Sequence, residues 1–422
     1  MTNLKIKLSI FINFFLFAIL LNSVGTVILQ VQRYFGVLES SAAVLEIFKD
    51  VSLAAASFAV VSFIMNIGYK KSMLIALAVM TAACFIVPFI KTFFAVKVLF
   101  ALTGACFGLM KISILSSIGL VTKNEKEHLS IMNFIESFFM IGILAGYFIF
   151  SNYINDADAG SGQWFNVYYV LGTFLAIAFF FLLFSQLDET PVKKGGKPLI
   201  KEEFAAMKKL VLVPLIILFV SSVFLYTLVE QSIMCWLPTF NSKQLQLASS
   251  MSIQVSGILA FSIAIGRFFA GFLIKRINWF KVLCFCLLAI SVLVIVTLPF
   301  TSQSPGKQIS SWSQVPVVAY IFPLIGFFLA PVYPVINSLI LSSLPGNKHA
   351  LMAGLIIIFS SVGGMTGSVI TGFIFQSFGG KTAFYFSLIP VGLLLMMLFI
   401  FRRNKERRNE ASDYKNLQVA LA

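Results

Sequence analysis

Long apolar runs separated by short polar turns organise the whole chain. A bilayer core about 30 Å thick takes about 20 apolar residues per helix, and at that length the sequence divides into twelve spans. Six read 8–31, 42–66, 72–91, 93–121, 130–152 and 166–187; six more read 210–236, 249–274, 280–300, 314–343, 350–376 and 382–401. Between the sets, glycine, proline and charge replace apolar periodicity in Asp188–Lys209, which contains PVKKGGKPLIKEE. The pattern predicts an all-α membrane protein of two pseudo-symmetric six-helix bundles. The N-terminal bundle is expected over 1–187, a cytoplasmic linker over 188–209, the C-terminal bundle over 210–401 and a basic cytoplasmic tail over 402–422. The first run follows Lys5 and Lys7 and continues past Leu29. That is too long for a signal-peptide core, so it is expected to remain as a helix.

Composition excludes a soluble enzyme. Of 422 residues 59% are hydrophobic and 11% charged, against about 45–50% and about 25% in soluble domains. The formal charge of +15 would suggest nucleic acid on a soluble surface, but here the excess sits in short loops and reads as topology. Clusters at Lys70–Lys71, Lys123 with Lys126, Lys193–Lys194 with Lys197 and Lys201, Lys275–Arg276, and Arg402–Arg408 fall on one side if both termini are cytoplasmic. The five cysteines lie in or beside apolar runs, so neither a disulfide nor a metal site is expected. No nucleotide loop or nucleophile with a base is evident, and the histidines, His128 and His349, fall at loop edges. No enzyme activity and no cofactor are expected.

The halves repeat one another. His128 is followed by Gly142 and Gly146, and His349 by Gly363 and Gly367, at identical spacing; glycines four apart permit close helix contact. The turns after spans two and eight also match, Ile67-Gly68-Tyr69-Lys70-Lys71 against Gly271-Phe272-Leu273-Ile274-Lys275-Arg276. Twelve spans in a 6+6 arrangement, a basic central loop and these basic turns resemble the major facilitator superfamily along nearly the whole chain. The Asp-Arg of the family's loop motif is missing, with Met65-Asn66 in its place. Tyr226 to Glu230, Gln231 and Ser232 running into Trp236, Tyr333-Pro334 with Ile336-Asn337, and Met132 to Phe138 resemble spans seven, ten and five of the fucose permease branch of sugar:proton symporters. That branch has acids in spans one and four; this chain has Asn22 and Thr26 in the first and Lys111 in the fourth, so coupling by those acids is not carried over.

A lysine inside a span is expensive, about 2.5–3.5 kcal/mol at a helix centre on insertion scales, and faces a cavity or a partner. Lys111, about 18 Å along its helix from Lys123, is therefore read as a cationic substrate contact near the midplane, with a structural pair to Glu136 as the alternative. Glu136 and Arg267 are the other deep charges, each about 12 Å from its cytoplasmic helix end at the α-helical rise. The resemblance implies that spans five and eight meet across the halves, so the two could pair as a cytoplasmic gate. Glu230, placed towards the outer end of span seven, reads as a proton-coupling carboxylate or an outer gate. The resemblance also implies that spans one, four, seven and ten line a central cavity. Their polar groups, among them Asn22, Thr26, Tyr226, Gln231, Tyr333 and Asn337, suit a hydroxyl-rich ligand. Glu46, Lys49 and Asp50, at i, i+3 and i+4, can pair with one another and read as a solvated end of span two, with an outer gate as the alternative.

The reading that follows is a bacterial inner-membrane secondary transporter. It would move a sugar, sugar acid or related organic anion by alternating access, as proton-coupled uptake. The partners expected are a small-molecule substrate, a coupling proton and the lipid bilayer, with no nucleic acid, and the protein is expected to be a monomer. Efflux of amphipathic compounds and a non-transporting receptor on a transporter scaffold are the alternatives.

Overall fold

The computed structural model describes residues 2–122, 125–189, 211–302, 308–341 and 349–403, and these are almost wholly helical. Most of the expected linker, 190–210, and of the tail, 404–422, lies outside the described residues. Among the described residues, ten helices are long and apolar enough to cross a membrane. Two more complete the arrangement: Val44–Ile67, which carries three charges in its first two turns, and a shorter helix over 388–403.

Span one consists of Thr2–Asn22 and Val24–Phe35; spans two to six are Val44–Ile67, Tyr69–Ile90, Phe93–Val121, Glu125–Ser151 and Asn166–Leu183. Spans seven to nine are Pro214–Gln244, Ser249–Arg276 and Trp279–Thr297. Span ten is assembled from Val318–Ile321, Ile325–Leu329 and Val332–Leu341. The helix His349–Tyr385 holds span eleven and turns at Gly379 (φ 83°) into span twelve, which continues over 388–403. Successive spans run in opposite directions, so both chain ends fall on one side, the terminal side; the other is the distal side.

Local chemistry sets the boundaries. Thr92 caps span four by accepting from the Ala95 N–H at 3.2 Å, and Asn278 caps span nine by accepting from the Phe280 N–H at 2.9 Å; each satisfies a donor that the first helical turn leaves free. Pro214 opens span seven, where its missing N–H costs nothing. Span one breaks at Ser23, whose hydroxyl donates to the Leu20 carbonyl at 2.8 Å and so competes with the helical ladder. Span seven continues past its expected end at 236 as far as Gln244. Thr239 and Asn241 end the apolar run but are buried and satisfied, as buried polar groups must be. Thr239 accepts from Gln32 of span one, and Asn241 donates to Ser252 and Ser256 of span eight. The turn after span two compensates for its missing acid. Glu189, beyond span six, accepts from the Lys70 N–H at 2.6 Å, while Lys70 Nζ donates to the Leu183 and Ser185 carbonyls.

The repeated glycines do equivalent work in each half. A Cβ at Gly142 would lie 2.6 Å from the Phe15 carbonyl oxygen, and one at Gly363 would lie 2.4 Å from that of Phe224. Span five thus packs on span one as span eleven packs on span seven, backbone against backbone. Spans two and four form a second close pair, matched by eight and ten. Both halves therefore repeat one helix arrangement.

The halves are joined at the distal side. Gln32 donates to Thr239 at 3.4 Å, the Ser40 N–H to Gln376 at 3.3 Å, and Gln254 to Ser151 at 3.2 Å. Lys243 pairs with Glu39, and Asp156, itself beside Arg33, accepts from both the backbone and the hydroxyl of Ser250. Spans five and eight touch along their distal lengths, where Gly257 meets Leu144 and Tyr147, and Arg267 still reaches Met140. One turn further towards the terminal side, Glu136 is exposed. A carboxylate that deep is not left in hydrocarbon, so its exposure is read as access to water from that side.

Candidate functional site

Three of the expected polar groups converge in the C-terminal half. Tyr226 and Glu230 are one turn apart on span seven, a spacing that puts them on one helix face. The Tyr226 hydroxyl donates to Glu230 Oε1 at 2.7 Å. The Tyr226 ring lies 5.4 Å from that of Tyr333 on span ten, and the Tyr333 hydroxyl reaches Ser360 of span eleven at 3.5 Å. Arg267 of span eight is close enough for its charge to act on Glu230 and Tyr226 but stops short of an ion pair. Its Nη1 donates to Met140 Sδ across the halves at 3.5 Å, and its Nε is buried without a partner. Asn337 Oδ1, one turn along span ten from Tyr333, is also buried and unpaired. Buried polar atoms are nearly always satisfied. A donor and an acceptor left over beside two tyrosines and a carboxylate suit a solute that has hydroxyls and an apolar ring face.

Glu230 is not near the outer end. Span seven continues to Gln244, so this carboxylate sits at the helix midpoint, about 24 Å from Pro214 and about 21 Å from Gln244 at the α-helical rise. The lengthening of the helix, driven by the buried Thr239 and Asn241, moves it from a lip to the centre.

The N-terminal half contributes Lys111, partly buried on span four, its Nζ 5.8 Å from the centroid of the Phe107 ring. Among the described residues neither Lys111 nor Glu136 takes part in an ion pair, so the two are not paired with each other. Glu136 and Arg267 are also apart in this conformation, with Met140 occupying the guanidinium. On span one, Asn22 Nδ2 donates to the Ala18 carbonyl at 2.9 Å, leaving its oxygen uncommitted at the helix break. Thr26 is buried just beyond that break. Gln231 turns away from Glu230: its Oε1 accepts from the Cys235 thiol at 3.4 Å and its stem borders Gly364 of span eleven.

The end of span two overturns the expectation of a solvated charge cluster. Glu46, Lys49 and Asp50 are 0%, 4% and 6% exposed. Lys49 Nζ donates to Glu46 Oε1 at 2.6 Å and lies 3.5 Å from Asp50 Oδ1. The cover comes from the other half. A Cβ on Gly364 would lie 2.8 Å from Asp50 Oδ2. On the other side Gly104 of span four presses so close that a Cβ there would lie 2.0 Å from the Lys49 carbonyl oxygen. Sequence spacing identified the charges as neighbours; their burial depends on glycines from distant parts of the chain. Ser360 and Met140, which complete the central cluster, carried no signal of their own in the sequence.

A shallow groove of about 300 Å³ between spans three and six, lined by Ala78, Thr81, Ala82, Ala176, Phe179 and Phe180, is almost wholly apolar and brings together no converging polar groups.

The family model described as Major Facilitator Superfamily matches residues 8–309 and 308–418. No match is found among curated protein sequences. Among solved structures, the chain is similar to a mutant of the nucleoside transporter NupG, at 14% identity over 96% of this chain and 99% of that one, with a TM-score of 0.71. It is similar to a D-xylose-proton symporter at 12% identity, over 94% and 97% of the two chains, with a TM-score of 0.71. The E. coli fucose:proton symporter FucP is 15% identical over 96% and 99%, with a TM-score of 0.62. At such identities the likeness is one of fold.

Proposed function

This chain belongs to the Major Facilitator Superfamily, and from that premise we propose that it is a secondary transporter carrying a small, hydroxyl-rich solute by alternating access. The observation that carries this reading is the central cluster, in which Tyr226 holds Glu230 and the unpaired groups of Arg267 and Asn337 are left for a ligand. Tyr333 offers a hydroxyl and a ring edge on the same wall. Lys111 adds a cation from the opposite half, which tilts the choice towards a sugar acid or a related organic anion over a neutral sugar. The named neighbours act on sugars and nucleosides; both are hydroxylated rings, and both belong in the first panel tested.

In this reading, which the basic clusters support, the termini lie in the cytoplasm, the membrane is a bacterial inner membrane and the protein acts as a monomer. On that placement the distal side faces outward and this structure is the inward-open state. Uptake is driven by protons in this reading. The halves, 1–187 and 210–401, rock about the midplane site while the linker 188–209 joins them.

A thermal-shift screen of the purified protein against sugars, sugar acids, nucleosides and organic anions names the ligand, since stabilisation follows ligand concentration relative to Kd. Uptake of that ligand into proteoliposomes is expected to rise under an inward proton gradient. Stabilisation by amphipathic cations and none by hydroxylated solutes would replace uptake with efflux.

A further inference from the structure

Two carboxylates and one ammonium are enclosed where span two of one half meets spans seven and eleven of the other. Ionised together, Glu46, Lys49 and Asp50 carry a net charge of −1; with one proton added they carry none. Burying an uncompensated charge is costly, whereas a neutral, hydrogen-bonded set is tolerated. The geometry has a place for that proton. Lys49 holds Glu46 Oε1, while Glu46 Oε2 is buried with no hydrogen-bond partner. Asp50, one turn along the helix from Glu46 and so on the same face, lies 3.5 Å from the Lys49 ammonium that Glu46 also holds. Of the neighbouring spans, seven presents the Cys235 thiol, with Tyr147 of span five beside it; four presents backbone at Gly104, and eleven presents Gly364.

Resting on the alternating-access reading above, we propose that Glu46, Lys49 and Asp50 form a proton-sensitive latch on the distal closure, taking up one proton from the distal side before that side closes over them. The carboxyls bind the proton while the distal side is open to water, and the neutral trio then permits Gly364 and span seven to close over it. When the distal side reopens the proton returns to the water there, and its loss restores the net charge that holds the halves apart at that contact.

The test follows the distal distance directly. Ala159 and Gln314 are exposed distal residues, one in each half. Spin labels on Ala159→Cys and Gln314→Cys report their separation by pulsed electron resonance; Cys284→Ser removes the one native thiol that is not buried. Between about pH 5 and about pH 9, the long-distance population is expected to grow with rising pH, following a single-proton curve. Asp50→Asn removes the one charge a proton would neutralise, leaves Lys49 paired with Glu46, and should hold the short distance at every pH. Glu230→Gln should keep the parent's pH response.

Unaltered elution and melting of the variants confirm that the fold is kept. Should they fail to fold, the labelled parent and Glu230→Gln still decide the matter. A pH response that persists in Asp50→Asn, or that disappears in Glu230→Gln, would overturn the assignment. Two distances present but insensitive to pH would overturn it while leaving rocking intact. A single short distance at every pH would remove the rocking itself, and the proton site with it.

Discussion

Single side chains decide whether the central cluster works. The Tyr226 hydroxyl fixes the Glu230 carboxylate through one hydrogen bond, and a bond to a charged acceptor is worth about 1.5–3 kcal/mol. Tyr226→Phe keeps the ring contact with Tyr333 and removes only this bond. Solute transport is expected to fall by about tenfold or more with melting unchanged; initial uptake rates check this, and an unaltered rate would release Glu230 from its role. Packing is equally local. A Cβ at Gly104 would lie 2.0 Å from the Lys49 carbonyl oxygen, while nothing lies within 4 Å of one at Gly392. Gly104→Val should therefore lower the melting temperature, with a cost of about 1–3 kcal/mol or more from overpacking, and Gly392→Val should leave it unmoved. Melting curves of the two variants side by side settle the contrast. At this scale the sequence was informative about types and silent about partners. It singled out Glu230, Arg267, Tyr333 and Asn337, but the unpaired atoms of Arg267 and Asn337 exist only because helices from distant parts of the chain enclose them.

At the scale of elements, the apolar runs identified the spans because length and hydropathy suffice to mark a crossing. Their ends were less legible. Thr239 and Asn241 look like loop residues in isolation, yet hydrogen bonds from spans one and eight let span seven continue to Gln244. Burial of the span two charges was illegible for the same reason: the sequence shows an i, i+3, i+4 set but not the Gly364 surface that covers it. The break in span one has a mechanical consequence. Beyond it, Gly25 rests on span seven, where a Cβ would lie 2.8 Å from the Cys235 carbonyl oxygen. Gly25→Leu is expected to wedge the distal halves of spans one and seven apart, abolishing uptake. A cysteine at Gln32, buried in the closed contact, should then react with an impermeant maleimide added from the distal side. Unchanged protection of that cysteine would show that spans one and seven do not form the distal closure.

For the whole molecule, the duplicated bundles meet distally, while Glu136 is exposed towards the terminal side. The exposed distal pair Lys243–Glu39 contributes little on its own, since surface ion pairs are worth about 0–1 kcal/mol. Glu136 is exposed in one half, while Arg267 of the other, one turn out of register, donates to Met140. Closing the terminal side would bring them together, and a pair held there stabilises the outward-open form. Exchanging the two charges should restore uptake lost in Glu136→Arg and Arg267→Glu singly; absence of rescue in the exchanged protein would eliminate the gate.

The central claim is that one solute is held between the halves, by Lys111 from one side and by the Tyr226, Glu230 and Tyr333 wall from the other. Its most direct test is the concentration dependence of thermal stabilisation by the transported solute in the parent, Lys111→Ala and Tyr333→Phe. The account expects both variants to melt as the parent does without ligand and to need at least about tenfold more solute for the same stabilisation, as loss of a bond worth about 1.4 kcal/mol requires. Parent-like affinity in Lys111→Ala for every stabilising solute would contradict it, leaving the site within the C-terminal half alone.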